Sequence, residues 1–68
     1  MTTLDYTVAG MTCQHCVASV TEEVSEVTGV SAVDVDLASG ALRVTGDSVA
    51  DDQVRAAVAE AGYTATPA

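Results

Sequence analysis

Lysine is absent from this sequence, and its only cations, Arg43 and Arg55, face ten Asp and Glu residues for a formal net charge of -8. A nucleic-acid interface needs clustered Lys or Arg against the phosphates, so no nucleic-acid partner is expected. An anionic lipid surface repels such a chain, whereas a basic protein surface attracts it. Phenylalanine, tryptophan and isoleucine are also missing. The core must then be assembled from small side chains, drawn from twelve Val and twelve Ala, around two Tyr. No run of about 18 apolar residues occurs, which predicts no membrane insertion. The opening stretch MTTLDYTVAG has neither the cationic start nor the apolar run of a secretory signal. That predicts a cytoplasmic protein, in a compartment where thiols stay reduced.

What is present fits one small domain spanning residues 1–68. The 49% apolar content is too high for a disordered chain. A chain this short often gains stability from a metal, a disulfide or a partner.

Leu4, Tyr6 and Val8 alternate with polar residues, the period of a half-buried strand, until Gly10. Over Gln14 to Val27 the period changes. Val17, Val20, Val24 and Val27 recur at steps of three and four and predict one helical face, with Gly29 as its C-terminal cap. Residues 31–37, SAVDVDL, alternate again, and Ser39-Gly40 marks a turn. Leu42 and Val44 then predict a hairpin partner whose Arg43 faces the aspartates of the preceding strand. Ser48 and Asp51 have capping-box spacing ahead of a second helical stripe, Val54, Ala57, Val58 and Ala61, which Gly62 stops. Tyr63 to Thr66 leaves room for a short edge strand before Pro67. The order βαββαβ predicts an α+β, ferredoxin-like sandwich: a four-stranded antiparallel sheet with two helices on one face.

The unusual chemistry is concentrated in Gly10-Met11-Thr12-Cys13-Gln14-His15-Cys16, between the first strand and the first helix. Two cysteines spaced C-x-x-C at a helix start can aim both sulfurs at one point. The free N–H groups and positive dipole end there favour thiolates. Thiolates select soft or borderline ions, chiefly Cu(I) and Zn(II). Zinc sites use three or four protein ligands, whereas this chain offers two cysteines, one histidine and scattered carboxylates. Cu(I) is satisfied by two thiolates, with room for a third sulfur from outside. C-x-x-C is also a redox motif, and a thiol oxidoreductase is the alternative from a different class. Such enzymes are longer and place a proline against the disulfide, and the sole proline here is Pro67. His15 is open as a third ligand, a group that supports the sulfurs, or a solvated loop residue. Met11 offers a thioether but lies where a core residue is expected. Tyr63 either shields the loop or caps the sheet edge. The acidic residues form a solvated face or a docking face.

The stretch GMTCQHC, the later Gly62-Tyr63 and the βαββαβ order together resemble the heavy-metal-associated (HMA) domain family, and within it the small bacterial copper chaperones. The resemblance runs from Leu4 to Ala65, and the pattern G-M-x-C-x-x-C is matched at Gly10, Met11, Cys13 and Cys16. It implies a binding protein rather than an enzyme. It implies that Cys13 and Cys16 hold Cu(I) and pass it by ligand exchange to a copper-transporting P-type ATPase, with a copper-responsive regulator as a further candidate partner. It also implies that Met11 packs beneath the loop and that Tyr63 lies near the site. Thr12 stands where zinc-type members often carry an aspartate ligand. The alternative within the family is a metal-binding module of a copper or zinc transporter. An open two-thiolate ion further implies a monomer without metal and a copper-bridged dimer with it.

Overall fold

The computed structural model describes residues Met1–Ala68. The elements are β1 (Thr2–Ala9), α1 (Gln14–Ser25), β2 (Val30–Asp36), β3 (Ala41–Gly46), α2 (Asp51–Glu60) and β4 (Thr64–Pro67). The strands form one sheet in the order β2-β3-β1-β4, and every pairing is antiparallel. This is the expected ferredoxin-like sandwich.

Alternation along each strand sends one set of side chains inward. Tyr6 and Val8 of β1, Leu42 and Val44 of β3 and Ala65 of β4 are buried against Val20 and Val24 of α1 and Val54 and Val58 of α2. The outward set is polar, with Asp5, Asp34, Asp36, Arg43 and Thr66 exposed. Tyr6 is the largest buried side chain, and its hydroxyl donates to Asp51 Oδ1 at 2.6 Å. Burial, the bond to Asp51 and the nearby Asp51 charge push the phenol above its ordinary range, so it stays a donor.

Several local expectations are corrected by contacts that lie far away in the chain. The capping box at Ser48 and Asp51 does not form. Ala50 is the N-cap of α2 and has no side-chain cap bond, and Ser48 adopts φ 59°. Asp51 is instead taken by Tyr6 and by Arg55, 3.0 Å from its Oδ2. Gly29 does not cap α1, whose C-cap is Glu26. It lies where two backbones cross: a Cβ at Gly29 would meet the Asp47 carbonyl oxygen at 2.3 Å. Val27 falls outside the helix yet still packs on the core. Arg43 does lie opposite Asp34, but its Nε donates to Asp5 on the other flanking strand at 2.8 Å. Leu37 belongs to the turn after β2. Strand β4 takes in Pro67 and leaves out Tyr63, whose N–H is engaged by α2. An edge position tolerates the missing donor of Pro67.

Antiparallel order places the β1–α1, β2–β3 and α2–β4 connections at one end. The Val8 N–H donates to the Gly40 carbonyl at 2.7 Å and ties the first two together. Leu42, 1% exposed, is the only leucine fully buried in the centre of this valine-rich core. Leu42→Ala should cost about 2–5 kcal/mol, a large part of the stability of a domain this size. Urea denaturation followed by circular dichroism checks this.

Candidate metal centre

Cys13 is the N-cap of α1, with extended backbone (φ -158°, ψ 173°) and no side-chain cap bond. Its carbonyl accepts the N–H groups of Cys16 at 3.1 Å and Val17 at 3.3 Å, closing the first turn beneath it. The turn brings the two sulfurs to 3.6 Å. Both cysteines are free thiols, Cys13 exposed and Cys16 half-buried.

The sulfurs differ in surroundings. The Cys16 thiol is pulled down to about 6, first by a hydrogen bond from the Thr12 N–H, then by one from the Tyr63 hydroxyl, with smaller help from Cys13. The Thr12 hydroxyl is also 3.9 Å from this sulfur. The leading donors come from the loop residue Thr12 and from Tyr63, and the Cys13 N–H at the helix start adds a smaller one. The Tyr63 phenol is raised in turn, mainly by its bond to Cys16.

Tyr63 reaches the sulfur through the way α2 ends. Gly62 takes the left-handed conformation (φ 95°), its N–H donates to Ala59 O at 2.9 Å, and the Tyr63 N–H donates to Val58 O at 3.1 Å. This pair of bonds is a Schellman motif, which only a residue tolerant of positive φ closes cheaply. It aims Tyr63 at Gly10. A Cβ at Gly10 would lie 3.3 Å from the Tyr63 ring, so the bare glycine, itself at φ 95°, is the seat for that ring. Met11 is half-buried and packs against the core, anchoring the loop.

His15 is exposed. Its carbonyl accepts from Ser19 Oγ at 3.0 Å, and its side chain makes no hydrogen bond to either sulfur. No third His, Cys, Asp or Glu joins the cysteines in a group able to hold a metal ion. No Asp, Glu, Lys or Arg occurs from Tyr6 to Thr21, so the loop is an uncharged cap on an acidic molecule. A shallow groove of about 460 Å³ opens beside it, lined by Gln14, Val17, Val35, Asp36, Leu37 and Ala38. Gly10, Met11, Thr12, Cys13, Cys16 and Tyr63 are thus brought together, and His15 lies at the edge of the group. Sequence reasoning missed the Thr12 N–H as a donor and the helix ending that delivers Tyr63. The Gly62-Tyr63 pair was the available signal for the second.

The heavy-metal-associated domain model matches residues 5–64. The chain belongs to the heavy-metal-associated domain family. Among HMA relatives it is 43% identical to the copper chaperone CopZ of Bacillus subtilis over 58 residues, covering 82% of this chain and 84% of CopZ. It is 42% identical over 59 residues to the mercuric reductase of Serratia marcescens, covering 85% of this chain but only 13% of that enzyme. Among solved structures, the copper-binding domain of HMA7, a P-type ATPase, superposes with a TM-score of 0.95 at 28% identity, covering 100% of this chain and 95% of that one. Among these relatives the domain makes up most of CopZ and only a small part of the mercuric reductase.

Thiolate is the reactive form of cysteine, so alkylation reports its population. Iodoacetamide labelling of Cys16 should fall as pH drops through about 6, the position to which its donors pull it. Tyr63→Phe removes one donor and should move that midpoint upward. Mass spectrometry of peptides labelled across a pH series checks both.

Proposed function

We propose that this protein is a cytoplasmic carrier that binds Cu(I) between the thiolates of Cys13 and Cys16 and delivers it to a copper-transporting P-type ATPase by thiolate exchange. The observation that carries the reading is a pair of free sulfurs 3.6 Å apart on an open loop, with no third ligating side chain grouped with them. Such a donor set leaves Zn(II) short of ligands and suffices for Cu(I). Bonds from thiolate to a closed-shell ion run to about 2.3 Å, so a linear arrangement needs the sulfurs to part by about 1 Å. Cys13, exposed and on extended backbone, supplies that movement, while Cys16 stays held by Thr12 and Tyr63.

Exchange then proceeds without loss of the ion. A partner's thiolate adds to the two-coordinate copper, the three-coordinate ion releases one sulfur of this chain, and a second partner thiolate displaces the other. No bond of the protein itself is made or broken, so the role is transport rather than catalysis. Both arginines are already paired, Arg43 with Asp5 and Arg55 with Asp51, so the outward field is acidic. It favours a partner domain, or a copper-responsive regulator, with a basic rim. CopZ of B. subtilis is a copper chaperone, and its likeness supports the free carrier. The HMA7 likeness supports the second reading, a module built into a transporter. Copper transfer in solution to a separately purified ATPase domain favours the first.

Replacing either Cys13 or Cys16 by Ser should abolish Cu(I) retention against a strong chelator, read by mass and copper content. A single variant that holds copper as tightly as the parent would sink the two-thiolate site. Competing Zn(II) should leave the copper in place.

The same openness should let copper join two chains through Cys13 and Cys16 of each. Sedimentation should show a monomer without metal and a reversible dimer with Cu(I). Salt should strengthen the dimer, because it screens the repulsion between two acidic copies. Glutathione, which competes for the open position, should weaken it.

A further inference from the structure

One side-chain hydrogen bond joins a helix to the sheet in this molecule, the 2.6 Å bond from the Tyr6 hydroxyl to Asp51 Oδ1. Asp51 is the first residue of α2, and Tyr63 follows the Schellman turn at its other end. From the Tyr6 latch and the Tyr63 seat we infer that the Tyr6–Asp51 bond sets the axial position of α2 and so holds Tyr63 on Cys16, which makes Tyr6 and Asp51 positioning residues for metal release. The release half of this inference rests on the carrier reading above; the seating of Tyr63 does not.

Apolar packing specifies only weakly where α2 lies along its axis. Its buried face is Val54 and Val58, with Ala57 and Ala61 half-buried beside them. These side chains are short and alike, and packing of that kind holds a helix down more firmly than it fixes its register. A directional O–H···O bond has one satisfactory geometry. The donor is well anchored: Tyr6 is 2% exposed, in a strand paired on both sides, with Leu42 and Pro67 opposite. The ten residues of α2 rise about 15 Å as a single rod. Gly62 and Tyr63 are both bonded back to the last turn, so the end of that rod carries Tyr63, while the pairing of Thr64 with Ala9 ties the next residue to the sheet beside the loop. At the far end the fit is close: a Cβ at Gly10 would lie 3.3 Å from the Tyr63 ring, so the ring rests against the bare glycine. The Asp51–Arg55 ion pair does not serve this purpose. It is half-exposed, lies within α2 and ties the helix only to itself.

The test uses the full chain, reduced and metal-free, by NMR, and then loaded with Cu(I) for release to a chelator. The Gly10 Hα protons occupy the space where a Cβ would touch the Tyr63 ring, so their ring-current shift and their cross-peaks to that ring report the seat directly. Asp51→Ala and Tyr6→Phe should both lose the cross-peaks and release copper about threefold faster. Asp51→Asn keeps an acceptor oxygen and should restore both readouts relative to Asp51→Ala. Arg55→Ala, which removes the ion pair and leaves the latch, should keep the cross-peaks. Adding Asp51→Ala to Tyr63→Phe should give no further acceleration, since both act through one group.

Persistence of the Gly10–Tyr63 cross-peaks in Asp51→Ala overturns the proposal whatever copper does. So does an Asp51→Asn variant that behaves like Asp51→Ala. If Asp51→Ala does not fold, Tyr6→Phe, which keeps the ring and deletes only the donor, decides in the same way. Loss of the cross-peaks as expected, with no copper bound by any variant or by the parent, would support the seat and count against the carrier reading alone.

Discussion

Four strands carry their apolar side chains on a single face, and two valine-lined helices are all the chain has to cover it. Burying Tyr6, Val8, Leu42, Val44 and Ala65 requires both α1 and α2 on that side, which leaves the other face to Asp5, Asp34, Asp36 and Arg43. The packing also forces three connections to meet at one end, and the cysteine loop, the Gly40 turn and Tyr63 become neighbours for that reason. With so little apolar volume available, one large ring carries much of the filling. Tyr6 brings a hydroxyl that burial obliges to find a partner, and the partner it finds, Asp51, ties the start of α2 to the middle of the sheet.

The acidity of Cys16 shows which electrostatic effects count at the loop. A net charge of -8 works against a thiolate, and so does the desolvation of its sulfur. None of the carboxylates, however, is among the groups that shift this thiol. The Thr12 N–H and the Tyr63 hydroxyl act at hydrogen-bond range and prevail, so the result is a depressed value of about 6. An uncharged loop on an acidic body therefore keeps one sulfur ionised and anchored near neutrality while the other stays exposed. That asymmetry suits a site that must hold a soft ion firmly and still admit a partner's sulfur.

Glycine is used sparingly and where geometry demands it. Gly62 lets α2 end in two back-directed bonds, and Gly10 leaves the space into which Tyr63 is then delivered. Neither residue touches a metal, yet the pair decides whether the phenol reaches the sulfur. This is why a strand, a helix end and a loop that are distant in the chain act together at the candidate centre.

The order of elements, the inward-facing valines and the C-x-x-C loop were legible in the sequence alone. Each is carried by a local signal: period two in the strands, steps of three and four in the helices, glycines at the breaks, and two thiols one turn apart. Membership of the heavy-metal-associated family was legible for the same reason, because its motif occupies seven adjacent residues. What only the tertiary structure decided were the partners of polar groups. Asp51 reads locally as half of a capping box, yet it serves Tyr6, 45 residues away in the chain. Arg43 reads as the counter-ion of its hairpin, yet its bond goes to Asp5 on the opposite neighbour. Gly29 reads as a helix cap, yet it makes room for Asp47. Tyr63 reads as the start of a strand, yet its N–H closes a helix and its hydroxyl serves Cys16. A local pattern states which groups need a partner, and only the assembled sheet determines which partner comes within bonding distance.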